Sequence, residues 1–276
     1  MKNPSTSVGV HLMTSTGTLY GTQIIPTSHL PTPVVLIIAG SGPTDRNGNG
    51  PLAGENNSLK QLAEGLADHG IASIRYDKRG IGESSAAGPE EVDLRFDTYA
   101  DDAALWIQQL QVDARFSSVT VIGHSEGSLI GILATKKTEA DAFVSIAGPA
   151  QSASAILRRQ LQSRLPDPLW QQSEQILVAL EQGNPVISVP LELNMLYRAS
   201  VQPYLISWFR YTPVQEITHL TIPVLIVQGT TDIQVPVSEA QALKMAKPGA
   251  ELRMIEGMNH VLKAVSLDPE QQNASY

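Results

Sequence analysis

The sharpest chemical signal in the chain is Gly123-His124-Ser125-Glu126-Gly127, a G-x-S-x-G pentapeptide. It follows the apolar run Val119–Ile122 and opens a helical pattern that starts at Glu126. That setting predicts a serine raised on a tight strand-to-helix turn, where strained backbone angles require small neighbours two residues away. Gly123 and Gly127 meet that requirement, and Gly131 lets the helix approach a sheet. The helix N-terminus adds amide dipoles beneath the hydroxyl. The expected chemistry is nucleophilic catalysis by Ser125. The plain alternative is an elbow that only maintains the fold.

A serine hydroxyl is a poor nucleophile without a base and an acid that orients the base. For this elbow the chain order is serine, acid, histidine. Of six histidines, only His219 and His260 follow Ser125. His219 precedes the run Ile222–Val227, at the amino edge of that strand, and reads as a surface residue. His260 follows the strand Leu252–Ile255 through Glu256-Gly257-Met258-Asn259. That is a carboxyl-edge loop, where α/β sites are built. His124 reads as a packing residue. Asp232 ends the loop Gln228-Gly229-Thr230-Thr231-Asp232 after the strand Val224–Val227, and is the expected acid. Glu256 is a rival, but it leaves its strand too early. A lone Asp in such a loop would otherwise be read as a turn former.

Acyl transfer also needs donors for a developing oxyanion. The backbone N–H of Glu126, next to the nucleophile, is one candidate. The second is expected in Gly40-Ser41-Gly42-Pro43, the loop after Val34–Ala39. It is assigned to Ser41, with Gly42 a near rival. These glycines match neither phosphate-cradling pattern. His11, His29 and His69 lack ligand spacing, so no metal is expected. Asp45 and Arg46 are expected to pair and brace the continuing loop, with a direct substrate role as the lesser alternative. Asp77-Lys78-Arg79-Gly80-Ile81-Gly82-Glu83-Ser84 could hold a phosphate in principle, but its Asp and Arg are expected instead to knit neighbouring carboxyl-edge loops together.

Composition removes other classes. The chain has 276 residues, 42% hydrophobic and 17% charged, which describes neither a disordered nor a highly charged protein. Nineteen Lys+Arg against 27 Asp+Glu give a net charge of −8. That sign opposes a phosphate-tracking nucleic-acid binder and docking on anionic lipid. The absence of cysteine excludes thiol catalysis, thiolate metal sites and disulfides, so a nucleophile must be an oxygen. The longest apolar run, Val34–Ala39, is too short to span a membrane. Residues 1–30 show no signal-peptide pattern, and a cytoplasmic location is expected.

The elements that must position these residues are legible as periodicities. Val8–Met13 and Thr18–Ile25 predict an N-terminal hairpin. The run Val34–Ile38 is continuously apolar, and similar runs follow at Ile71–Tyr76, Val119–Ile122 and Ile222–Val227, with a weaker one at Ala142–Ala147. Continuous apolarity suits strands buried on both faces of a parallel sheet. Helical patterns alternate with them: one capped by Ser58 and ending at Gly70, then Asp97–Leu110, Glu126–Lys136 and Ser238–Met245. Residues 149–221 carry no strand pattern. Apolar spacings at Ile156, Leu157 and Leu161, and at Leu169, Ile176, Leu177 and Leu180, predict helices there. We read this stretch as a helical cap inserted into a core formed by residues 1–148 and 222–276. The alternative is an ordinary helical excursion on the sheet's flank.

Together these features resemble the α/β-hydrolase superfamily along nearly the whole chain. Gly40-Ser41-Gly42-Pro43-Thr44-Asp45-Arg46, Tyr76-Asp77-Lys78-Arg79-Gly80 and Ser200–Phe209 resemble a group of bacterial serine esterases, also described as lysophospholipase-like or prolyl-aminopeptidase-like. The resemblance implies a mostly parallel sheet with helices on both faces and a helical cap. It also implies a Ser125–His260–Asp232 triad and hydrolysis of a small-molecule carboxylic ester, of short-to-medium acyl chain, through an acyl-enzyme. No metal or organic cofactor, nucleic-acid partner or membrane insertion is implied; a monomer or homodimer is expected. Tyr204, Leu205, Trp208 and Phe209 are candidates for an apolar acyl wall, or for packing on the body. An aminopeptidase would need a cap carboxylate for an α-ammonium, with Glu174, Glu181 and Glu192 as candidates. A thioesterase or acyltransferase would draw on Arg158, Arg159 and Arg164. A non-catalytic binding protein of the same fold is the remaining alternative. Sixteen residues follow His260 and Leu267–Tyr276 is polar, so the closing helix of such hydrolases is expected to be missing or replaced.

Overall fold

A computed structural model of the protein describes residues 4–51 and 54–265. The tail Leu267–Tyr276 lies outside the described residues. Strands β1 (Ser5–Thr14) and β2 (Gly17–Pro26) form the antiparallel hairpin. They are followed by β3 (Thr32–Ile38), β4 (Ala72–Tyr76), β5 (Phe116–His124), β6 (Ala142–Ile146), β7 (Val224–Gly229) and β8 (Glu251–Ile255). The sheet order is β1-β2-β4-β3-β5-β6-β7-β8. β2 pairs antiparallel with β4, and every pairing from β4 to β8 is parallel. The sheet is therefore mostly parallel.

The reason for the continuous apolar runs is visible in β3. Val34, Leu36 and Ile38 enter one core cluster, while Val35 and Ile37 enter the cluster on the opposite face. Alternate side chains of a strand point to opposite faces, so a strand covered on both sides must be apolar at every position. Helix α1 (Ser58–Asp68) supplies Leu59, Ala63 and Ala67 to the second cluster. Helices α2 (Phe96–Gln111) and α3 (Glu126–Lys136) cover the first face. Small residues on their inner sides, Ala100, Ala103 and Ala134 among them, let the backbones approach the strands.

Between β6 and β7 the chain makes α4 (Ala153–Gln162), α5 (Asp167–Glu181), α6 (Asn194–Tyr197), α7 (Gln202–Phe209) and α8 (Pro213–Glu216), then returns through β7 to α9 (Val237–Ala246). The inserted helices build their own apolar cluster from Ile176, Leu177, Leu180, Tyr197, Leu205 and Phe209.

Two local expectations are corrected. Ser58 does not cap α1: it is the first helical residue, after Asn57 in a left-handed conformation (φ 51°). The free amides of the first turn are met instead by the Asn56 carboxamide on Ser58 N–H (2.9 Å) and the Asn47 carbonyl on Leu59 N–H (3.0 Å). Asp45 and Arg46 do not pair. Asp45 accepts from the Asn47 and Asn49 amides, and Arg46 pairs with Asp77 and Glu83.

Buried charge ties the sheet's carboxyl edge to α2. The Arg79 guanidinium bonds both oxygens of Asp102, at 3.0 and 2.5 Å, and donates to the Ala87 carbonyl. Both side chains are almost fully buried. Breaking such a pair from one side strands a charge, at a cost of about 3–5 kcal/mol. Asp102→Ala is expected to lose that much stability in urea titration. A loss under about 1 kcal/mol would mean Arg79 is satisfied without it.

Candidate active site

The elbow forms because three chain segments meet with no side chain between them. A Cβ on Gly123 would lie 2.2 Å from the Gly127 carbonyl oxygen, and one on Gly127 would lie 2.4 Å from the Ile38 oxygen. Ser125 is consequently held at φ 55°, ψ −122°, with its N–H on the Ile146 carbonyl at 2.9 Å. Its hydroxyl stands at the carboxyl edge of β5, where α3 begins.

The structure brings Ser125, His260 and Asp232 into one hydrogen-bonded row. His260 Nε2 is 3.1 Å from Ser125 Oγ, and His260 Nδ1 is 2.8 Å from Asp232 Oδ2. The Gln234 and Val235 amides donate to Asp232 Oδ1, and Gln228 Nε2 donates to Oδ2 at 3.1 Å. Burial would raise the Asp232 carboxyl, but the His260 hydrogen bond and charge and the two amides outweigh it, holding the group below the ordinary carboxylate range. Asp232 is thus a buried anion positioned to keep a proton on His260 Nδ1, which leaves Nε2 able to accept from Ser125. His219 stands far from this row, exposed beside Glu216 and Lys136. Glu256 is exposed.

Gly40, Ser41 and Gly42 line a cavity of about 230 Å³ with Ser125, His124 and His260. A Cβ on Gly40 would sit 3.2 Å from the Ser125 Cβ, so this loop crosses directly beside the hydroxyl. Among the described residues the amides of Ser41, Gly42 and Glu126 donate to no protein group. A second cavity of about 350 Å³ lies across Gly42 and Pro43, lined by Lys78, Tyr99, Glu126 and Tyr204.

Of the four aromatic and aliphatic candidates in the insertion, Tyr204 alone lines either cavity. Its hydroxyl donates to Glu126 Oε1 at 3.1 Å. Leu205 and Phe209 are buried in the insertion's own cluster, and Trp208 stacks on Phe96 with centroids 5.4 Å apart. Leu205 and Phe209 thus face the insertion's interior, and Trp208 faces α2.

Two residues contribute more than their sequence context suggested. His124 Nε2 lies 2.8 Å from the His260 carbonyl oxygen. A carbonyl only accepts, so Nε2 carries the hydrogen and ties the histidine loop to the elbow. Lys78, 2% exposed, donates to the Gly40 carbonyl at 2.6 Å and stands 3.6 Å from Glu126. The signal for Lys78 was three charged residues in a row at the end of a buried strand. No metal-holding group of three or more His, Asp or Glu occurs among the described residues.

A doubly covered parallel sheet, an elbow at the end of its fifth strand and a hydrogen-bonded serine, histidine and aspartate from three carboxyl-edge loops define an α/β-hydrolase. Residues 52–198, more than half of the chain, match the model of the serine aminopeptidase S33 family, and the chain belongs to that family. Esterase EstD of Thermotoga maritima is 27% identical over 88% of this chain, which spans 58% of that esterase's length. Non-heme chloroperoxidase CPO-A1 of Kitasatospora aureofaciens is 27% identical over 81% of this chain and 86% of its own. Est1E of Butyrivibrio proteoclasticus, solved with ferulic acid, superposes with a TM-score of 0.66 at 17% identity, covering 96% of this chain and 94% of its own. The α/β hydrolase GrgF of Penicillium gives 0.63 at 19% identity, with 92% and 91% covered.

Burial first, and then the neighbouring His260, lower the His124 pKa to about 4 from the ordinary 6.5. A histidine that takes up its proton near 6.5 when unfolded and near 4 when folded stabilises the fold fully above 6.5. That contribution falls away as pH drops toward 4, by about 3 kcal/mol in all. Denaturation of His124→Asn from pH 7 to 4 is expected to lack this part of the slope. Parallel curves for the two proteins would contradict it.

Proposed function

We propose that the protein hydrolyses carboxylic esters of short-to-medium acyl chain through an acyl-enzyme. The observation that carries the reading is the Ser125–His260–Asp232 row, at 3.1 and 2.8 Å. Ser125 Oγ attacks the acyl carbonyl as His260 Nε2 takes its proton. Asp232 fixes the imidazole and stabilises the imidazolium. The carbonyl oxygen, now charged, is held by the Glu126 amide and by Ser41 or Gly42. His260 returns the proton to the leaving alcohol, and water repeats the sequence to free the acid. A relative named as an esterase, 27% identical over 88% of this chain, supports ester chemistry. The small cavity at Ser125, about 230 Å³, lies below the usual range for drug-sized ligands and supports a short substrate.

Peptidase action on a free amino terminus is less well supported. Arg158 engages both Glu174 and Glu181, and Glu192 is exposed. The same pairing engages Arg158, and Glu239 engages Arg159, which weakens the case for a carrier-dependent thioesterase. We read residues 149–221 as a cap that reaches the site through Tyr204.

A series of p-nitrophenyl esters from acetate to palmitate, run beside aminoacyl arylamides, tests this. Turnover is expected to peak at the short esters and to fall at least about 10⁴-fold in Ser125→Ala. A maximum at long chains or on the arylamides would refute the substrate class. Failure of a fluorophosphonate to label Ser125 would refute the mechanism.

A further inference from the structure

We propose that Lys78 is the positioning residue of the oxyanion hole, holding the Gly40–Ser41 peptide so that the Ser41 N–H faces the oxygen that becomes charged. This rests on the ester-hydrolase reading above.

The lysine is in an expensive place. At 2% exposure its ammonium has given up its water, a cost that an apolar side chain of similar length would not incur. Its near-neighbours show where that charge is directed. Glu126 Oε1, at 3.6 Å, neutralises it from beyond hydrogen-bond distance, and the Tyr99 ring lies 5.1 Å away. The one short bond, 2.6 Å, goes to a main-chain oxygen, that of Gly40.

Peptide geometry then fixes the consequence. No cis peptide occurs among the described residues, and in a trans peptide the C=O and the next N–H point in opposite directions. Drawing the Gly40 carbonyl toward Lys78 turns the Ser41 N–H away from it. Lys78 lines the cavity on one side of Gly42 and Pro43, and Ser41 lines the Ser125 cavity on the other. The following peptide is fixed in turn by the Thr44 hydroxyl, which donates to the Ser41 carbonyl at 2.9 Å. Glycine has little intrinsic backbone preference, and among the described residues Lys78 makes the one hydrogen bond to the Gly40 carbonyl.

A cation on the carbonyl also polarises the amide, making its N–H a stronger donor. The second donor is subject to the same pair. Glu126, whose own amide faces the oxyanion, has its carboxylate between Lys78 and the Tyr204 hydroxyl. One buried ion pair thereby spans the two segments that supply the hole. Lys78 does not line the Ser125 cavity and acts through Gly40.

Lys78→Met keeps the chain length but releases Gly40, and it also strands the Glu126 carboxylate. Lys78→Met/Glu126→Gln removes that stranded charge. With p-nitrophenyl acetate, both variants are expected to lose about tenfold or more in kcat, with KM within about threefold of wild type. The double variant is expected to regain most of the thermal stability lost by the single one. A merely structural lysine predicts instead that kcat returns with the melting temperature, and that result, or an undiminished kcat in folded Lys78→Met, overturns the proposal. Should neither variant fold, the wild-type phosphonate adduct decides. Its crystal structure is expected to keep Lys78 on the Gly40 oxygen and to put the Ser41 N–H on the phosphonyl oxygen; a flipped Gly40–Ser41 peptide overturns the proposal. Absence of wild-type turnover would instead refute the esterase reading itself.

Discussion

The contact on which the rest of the structure depends is that of Gly123, Gly127 and the end of β3. Ser125 occupies a backbone conformation that costs on the order of 1–3 kcal/mol and persists only where its surroundings impose it. They do so because β5, α3 and β3 converge with backbone against backbone: the Gly127 position would put a Cβ on the Ile38 oxygen, and the Gly123 position on Gly127 itself. The loop that leaves β3 therefore passes immediately beside the serine, and Gly40 is positioned by the same closeness. The histidine loop arrives from β8 and is tied to the elbow through His124 and the His260 carbonyl. One dense junction thus brings together segments separated by more than two hundred residues along the chain.

Around that junction charge is buried in pairs rather than spread on the surface. Lys78 faces Glu126, Arg79 faces Asp102, and Asp77 accepts the Arg46 and Glu83 amides. Buried pairs of this kind give little net stability, since desolvation offsets attraction. What they provide is direction. Each joins a loop leaving one strand to a different element, so the carboxyl-edge loops, which have no ladder of their own, are held as firmly as the strands beneath them.

The sheet was legible in the chain because its cause is local. Continuous runs such as Val34–Ile38 arise wherever both faces are covered, and the strand-helix alternation follows from that burial. Ser125, Asp232 and His260 were legible as positions because an elbow motif, a chain order and two strand ends constrain them jointly. Their distances were not, since these depend on side chains brought together across the fold. What escaped were contacts with no sequence period. His124 looked like packing because its bond is to a main-chain oxygen 136 residues away. Asp45 and Arg46 looked like a pair because they are adjacent, but Asp45 turns back on its own loop while Arg46 reaches Asp77 and Glu83. The helix α7 carries four large side chains over a short span, and only its packing tells that Tyr204 faces the site while Leu205 and Phe209 face the insertion's interior.

The insertion shows why that distinction has chemical weight. Beside apolar packing of Tyr204, Trp208 and Tyr211 on the body's core, it meets the body through directional polar bridges: Tyr204 to Glu126, Arg198 and Ser200 to Glu91, Arg210 and Tyr211 to Asp97, and Glu239 to the Ala150 and Gln151 amides. The Phe96–Trp208 stack and the Phe96 amide on the Ser207 hydroxyl add a central anchor. Hydrogen bonds specify register where apolar contact alone would allow sliding. They also consume the insertion's charge. Arg158 is spent on Glu174 and Glu181, and Glu91 on Arg198. Next to Glu126, Tyr204 presents to a cavity a hydroxyl already committed to that carboxylate. The insertion's arginines and glutamates that are engaged in this way hold it in place by directional contacts on several sides.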